Sequence, residues 1–146
     1  MDILFASGNE HKKQEMQVLF EPDCIHLPKD FDLSFDCEET GTTFAENAMI
    51  KAQALAQKAS ALNMPVLADD SGLIVDALPG LLGVKTARFG SKDGEPILPA
   101  HVKNMLLLSM LKDVPFEKRS ATFVCSLVSS STGAAASPSF FLPPST

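Results

Sequence analysis

VLADDSGLIVDALPG, Val66 to Gly80, sets two neighbouring carboxylates, Asp69 and Asp70, between an apolar run and a Ser-Gly pair. Short apolar runs bounded by turn residues read as strands, so Val66–Ala68 and Leu73–Ala77 are expected as strands flanking the acids. Adjacent carboxylates at a strand end repel, and each raises the other's pKa unless a cation lies beside them. A hard divalent ion such as Mg2+, which takes oxygen ligands and keeps several waters, is the usual cause of such crowding. The plainer alternative is an Asx-turn in which one aspartate caps local amides.

Outward from this stretch the chain alternates strand and helix patterns. DILFA (Asp2–Ala6) reads as a short buried strand and Ser7-Gly8-Asn9 as the turn after it, followed by a helix over Glu10–Phe20 with Met16, Leu19 and Phe20 on one side. Cys24–Leu27 reads as a second strand leading into the acidic loop DFDLSFDCEETGTT. Thr43-Phe44-Ala45-Glu46 is a capping box, and apolar residues at 45, 48, 49, 52, 55, 56, 59 and 62 continue it at a helical period until Asn63-Met64-Pro65. A Gly/Pro-rich loop follows Val66–Ala77, then a helix from about Ile97 to Lys112 and a strand over Ser120–Val128. The interleaving predicts an α/β layer fold.

Size and composition limit the function. One domain with a single core is expected from 146 residues, 45% of them hydrophobic and 21% charged. A formal charge of −6 leaves no broad basic surface for a nucleic-acid backbone, so an anionic ligand must be met by local cations. Three cysteines without CxxC spacing point to a reducing compartment and away from a zinc site or disulfide framework. The start, MDILFASGN, has no signal-peptide pattern, and no apolar run approaches the ~20 residues of a membrane helix. A cytoplasmic protein is the expectation.

Three polar clusters fall where α/β proteins place ligands, beyond the carboxyl ends of strands. SGNEHK, Ser7 to Lys12, offers a tight turn, the free amides of a helix start, and the donors of Ser7, Asn9 and Lys12. CEETG followed by TTFAENAMIK supplies Glu38 and Glu39 from the loop and Asn47 and Lys51, one turn apart, from the helix. Asp69-Asp70-Ser71-Gly72 is the third. Each has a bland reading as a turn, a solvated loop or a surface helix, but together lysine, asparagine and serine donors beside clustered acids describe a metal-assisted phosphate site. Neither GxxxxGK[ST] nor GxGxxG is present, and His11, His26 and His101 share no spacing that would make them ligands.

The stretches SGNEHKKQE, EETGTTFAENAMIKAQA, LADDSGLIVDALPG, GVKTARF and ATFVCSLV resemble, in order and spacing, the inosine triphosphate pyrophosphatases, also called dITP/XTP pyrophosphatases, in their bacterial form. The likeness covers Ile3 through about Val128. It implies a mixed central sheet with flanking helices, two lobes around a cleft, and a homodimer in which Lys85–Phe89 falls in a dimer-contact segment. It also implies Mg2+-dependent hydrolysis of ITP, dITP and XTP to the monophosphate and pyrophosphate. By the same resemblance Ser7, Gly8, Asn9, Glu10, His11 and Lys12 form the triphosphate-binding turn, Glu38 is a metal ligand and Lys51 contacts phosphate. Asp70 is then the proton acceptor and a second metal ligand, Ser71 a substrate contact, and Asn47 and Asp69 supports. SGNEHK speaks against the related Maf-type pyrophosphatases, which begin with a different serine/arginine-rich turn.

The likeness then stops. Family members continue from this strand into a glycine-rich segment, an FGYDP-like motif, a later lysine and an SHR, which hold the purine base, and none of these occurs here. Residues 1–128 are therefore expected to be an incomplete pyrophosphatase domain whose C-terminal part is missing. Residues 129–146, SSSTGAAASPSFFLPPST, are expected to be a low-complexity tail without long helix or buried strand, as if the gene were cut short or shifted in frame. The alternative function is an inactive remnant or weak nucleotide-binding module.

Overall fold

Short apolar runs alternating with amphipathic helices build two successive parallel crossovers in the first half of the chain. In the computed structural model, which describes residues 1–131 and 139–141, β1 (Asp2–Phe5) passes through α1 (Glu10–Phe20) to β2 (Cys24–His26). A 3-10 turn at Pro28–Phe31 and an extended loop then lead to α2 (Phe44–Lys58), a second 3-10 turn at Ser60–Leu62 and β3 (Val66–Val75). The remainder comprises a 3-10 turn at Gly83–Arg88, α3 (Ala100–Met110), β4 (Ala121–Ser130) and β5 (Ser139–Phe141). The strands form one mixed sheet in the order β2-β1-β3-β4-β5. β1 is parallel to both β2 and β3, with Leu4 opposite His26 and Val66, whereas β5 runs antiparallel to β4.

The chain leaves β1 for β2 on one side and then passes back across β1 to β3 on the other. Because parallel crossovers are right-handed, this reversal forces α1 and α2 onto opposite faces of the sheet. Burial follows that division. Met16 of α1 packs in a cluster with Ile3, Phe5, Ile25, Leu27 and Leu67, while Ala48, Ala52 and Leu55 of α2 pack with Leu4, Ala6, Val66, Ala68 and Val128. Consecutive residues of β1 and β3 thus alternate between the two cores, as the pleat demands. Leu19, expected on the buried side of α1, is instead exposed, and Met16 is the only buried residue of that helix.

Two compact units are distinguished, Met1–Asp70 with Ser126–Thr146, and Ser71–Cys125. The second has its own core of Val75, Leu82, Phe89 and Leu111. There Thr86 Oγ1 accepts from the Leu73 amide at 2.9 Å and donates to the Gly83 carbonyl at 2.6 Å, tying the Lys85–Phe89 segment to β3.

Three boundaries differ from expectation for physical reasons. Val66–Ala68 and Leu73–Ala77 are not two strands but parts of one ten-residue strand that runs through the paired acids. α3 begins at Ala100 rather than Ile97 because Pro99 occupies its N-cap, and the residue before a proline is disfavoured in helical conformation. Ser139–Phe141 pairs with Leu127–Ser129 of β4, so a short strand lies inside the segment expected to be tail. The rest of that segment, 132–138 and 142–146, lies outside the described residues. No helix among the described residues is long and apolar enough to cross a membrane.

Candidate functional site

The place where a sheet's crossovers reverse direction opens a crevice at the carboxyl ends of the strands, the usual ligand position of an open α/β sheet. Here it falls between β1 and β3. The ladder between them ends with Ala6 N–H donating to the Leu67 carbonyl at 2.8 Å. β1 then turns away at Ser7–Asn9 into α1, while β3 continues. Asp69 and Asp70 are the first charged residues past that point, so they lie beyond the end of the neighbouring strand rather than at the end of their own.

Being consecutive in one strand, the two acids point to opposite faces. This corrects the expectation that they crowd one another. Both are buried, Asp69 to 2% and Asp70 to 7% exposure, and each meets a lysine from the helix on its own side. Asp69 Oδ2 accepts a hydrogen bond of 2.7 Å from Lys12 Nζ of α1. Asp70 Oδ1 lies 4.0 Å from Lys51 Nζ of α2. A charged acceptor and donor at 2.7 Å form one of the stronger hydrogen bonds available to a protein.

Lys51 is reached from the other side by Glu39, whose Oε1 is 3.1 Å away. The structure thus brings Glu39, not the neighbouring Glu38, to the lysine, although both acids are exposed. A loop without periodicity carries no sequence signal for which of two adjacent acids turns inward. What holds the loop is a clasp on α2. Asn47, only 2% exposed, accepts the Gly41 amide through Oδ1 at 2.7 Å. A Cβ at residue 41 would stand 2.6 Å from that oxygen and 2.7 Å from Glu46 Cβ, so glycine is required for the approach. Asn47, expected as a support, acts on the backbone of the loop.

One turn earlier the capping box forms as the sequence predicts. Thr43 Oγ1 accepts from the Glu46 amide at 3.1 Å, while Glu46 Oε2 accepts from the Thr42 amide at 2.6 Å and the Thr43 amide at 3.3 Å. The Thr42 amide and hydroxyl hold the Glu46 carboxyl below its ordinary pKa.

Around Lys51 lies a cavity of ≈ 230 Å3 lined by Ala6, Ser7, Gly8, Phe35, Asp36, Cys37, Glu39 and Lys51. Sites for whole small ligands are about 300–1,000 Å3, so this one suits a phosphate chain better than a complete nucleotide. Burial, with help from Glu39, pushes the Cys37 thiol above its usual pKa and keeps it protonated.

The turn behaves differently from an open anion nest. Asn9 Oδ1 accepts the amides of His11 at 2.9 Å and Lys12 at 3.4 Å, and Ser7 Oγ accepts the Asn9 amide at 3.1 Å. Asn9 thus caps α1, and two of the amides expected for an anion are already satisfied. Glu10 pairs with Lys29 and the His11 side chain is exposed. Ser71 is half-buried in β3 directly after Asp70.

For a metal ion the donors present are carboxylate oxygens, the type Mg2+ prefers. Among the described residues no three His, Cys, Asp or Glu side chains gather around one point, so Glu38, Asp69 and Asp70 do not share a protein-built cage. The surplus of carboxylates around Lys51, with Asp36 and Glu39 in the cavity wall and Asp70 4.0 Å from the lysine, still fits a divalent ion that brings most of its ligands as water and phosphate.

Comparison with known proteins places this geometry in context. The Ham1 family matches residues 3–140. A dITP/XTP pyrophosphatase of Treponema denticola is 52% identical over 128 residues, covering 88% of this chain and 63% of the relative. That of Frankia alni is 43% identical over 131 residues, covering 86% and 61%. The chain therefore spans a little over three-fifths of the length of these relatives. Among solved structures, a HAM1 protein from Coxiella burnetii superposes with a TM-score of 0.78 at 32% identity, covering 96% of this chain and 68% of the other. The Staphylococcus aureus Ham1 protein gives 0.75 at 35%, covering 97% and 68%.

Proposed function

The chain belongs to the Ham1 family, and from that premise we propose that it hydrolyses deaminated purine nucleoside triphosphates, ITP, dITP and XTP, to the monophosphate and pyrophosphate with Mg2+. The observation that carries this reading is the pair of buried aspartates past the end of β1, each meeting a lysine from the helix on its own side of the sheet. That arrangement supplies two cations and a shielded carboxylate at the crevice where an α/β sheet takes its ligand.

In the reaction a water oxygen bonds to the α-phosphorus, the bond from that phosphorus to the oxygen bridging the β-phosphate breaks, and pyrophosphate leaves with the bond's electrons. Asp70, buried and adjoining the cavity lysine, takes the proton from the attacking water. Lys51 and Lys12 meet the phosphate oxygens, Ser7 and Gly8 in the cavity wall line the approach, and Ser71, next to Asp70 in β3, is a further substrate contact. Bound Mg2+, held by Asp70 with Glu38 or Glu39 of the loop, would supply Lewis-acid stabilisation of the leaving phosphate. Action on the free nucleotide pool of the cytoplasm and assembly as a homodimer belong to the same reading; the three unbridged cysteines agree with a reducing compartment.

Purified protein incubated with Mg2+ and ITP, XTP, dITP or ATP tests it through pyrophosphate release. Turnover of the deaminated nucleotides well above ATP, abolished by EDTA and by Asp70→Asn, is expected. Release that survives Asp70→Asn unchanged removes the base from the scheme. Binding of Mg–ITP with no turnover reassigns the chain as a nucleotide-binding module.

A further inference from the structure

We propose that Asp69 is a positioning residue that anchors the Lys12 ammonium at the open end of β1, and that it takes no part in holding a metal ion. This deepens the reading of the site as a polyphosphate site and rests on it.

The anchor is built into the packing of α1 on β3. Met16 and Leu67 share the core on that face of the sheet. Lys12 precedes Met16 by four residues, about 6 Å along a helix, and Asp69 follows Leu67 by two, about 6.6 Å along a strand. The two elements therefore stay in step, and the same packing that seats Met16 delivers Lys12 Nζ to Asp69 Oδ2 at 2.7 Å.

Exposure shows which partner is committed. The Asp69 side chain is 3% exposed and that of Lys12 33%. Asp69 Oδ1 is buried with no hydrogen-bond partner among the described residues. Withdrawing Lys12 would strand a buried carboxylate, which is strongly unfavourable, so the pair persists when a ligand arrives. An ammonium has three donors; with one used on Asp69, two remain on a lysine side chain that is 33% exposed. The charge is held in place beforehand rather than ordered on binding, which lowers the entropy lost in association. Asp70 faces the other layer, leaving Asp69 on the side away from Glu39 and Lys51.

Asp69→Asn keeps the shape and removes the charge. KM for Mg–ITP should rise about tenfold with kcat within about twofold, the pattern of lost uniform binding. The Kd for inorganic tripolyphosphate, measured without Mg2+, should rise by a similar factor. The Mg2+ concentration giving half-maximal turnover should stay unchanged. Lys12→Gln/Asp69→Asn, which strands no charge, should bind tripolyphosphate within about threefold of Asp69→Asn, because interacting partners are not additive. If Asp69→Asn does not fold, the double variant is compared with the parent and must show the same loss at an unchanged Mg2+ requirement. Unchanged tripolyphosphate affinity, or a raised Mg2+ requirement, overturns the assignment, as does a parent chain with no tripolyphosphate affinity. Asp69-dependent tripolyphosphate binding without pyrophosphate release from ITP would instead sink the proposed activity and leave the anchor standing.

Discussion

Replacing Asn47 by alanine attacks the clasp between α2 and the acidic loop while leaving every charge in place. The side chain is 2% exposed and its Oδ1 holds the Gly41 amide at 2.7 Å. Leaving that part-buried amide without an acceptor costs about 1–3 kcal/mol, and truncating a filled position adds on the order of 1 kcal/mol for the space left behind. A loss of about 2–4 kcal/mol corresponds to a fall in Tm of roughly 4–16 °C for a chain of this size. The loop is also the part that carries Glu39 to Lys51, so KM for Mg–ITP should rise along with the loss of stability. Gly41→Ala strikes the same contact from the other partner, since its Cβ would meet Asn47 Oδ1 at 2.6 Å. Thermal melts of both single variants and the double variant, with ITP hydrolysis in parallel, give the assay. The double variant should lose little more than the worse of the singles. Wild-type melting and KM in Asn47→Ala, or full additivity with Gly41→Ala, would refute the clasp.

Thr43→Ala removes the side-chain acceptor of the Glu46 amide and should destabilise the fold by about 0.5–2 kcal/mol, read from urea midpoints at constant m. Asp30 sets a pH dependence: the Leu27 amide at 2.9 Å, then Lys13 at 3.1 Å, holds its carboxyl below the ordinary aspartate value of 3.8. A depressed folded-state pKa contributes stability that is present above the unfolded value and is lost as pH falls through the folded one. The Tm advantage of the parent over Asp30→Asn should therefore be full near pH 6 and shrink as pH falls below the ordinary aspartate value of 3.8; a gap that stays constant into that acid range contradicts it.

Elements governed by local rules were legible in the sequence. The capping box placed the start of α2 correctly because its four residues satisfy each other's amides without outside help. Glu10–Phe20 was read to the residue for a similar reason, with Asn9 as its cap. The long strand was not legible. Aspartate is a poor strand former, so Asp69-Asp70 looked like a break; lysines from two helices, distant in sequence, are what make the acids tolerable inside β3. Lys12, Lys51 and the two aspartates were picked out from three separate segments, but which lysine meets which acid, Lys12 with Asp69 and Lys51 with Asp70, needs the alternation of the sheet. That Glu39 reaches Lys51 is an irregular tertiary contact with no period to betray it.

Because the acids' allegiances are set by parity along β3, deletions and substitutions there have unequal consequences. Exchanging Ala68 for another small residue leaves both partnerships intact. Removing a single residue between Val66 and Ala68, with the earlier pairing to β1 kept, sends each carboxylate through to the opposite layer. Asp70 would then confront the helix of Lys12, and the position facing Lys51 would be taken by a serine. A lineage carrying this strand can drift in composition, yet its length up to the aspartates is locked.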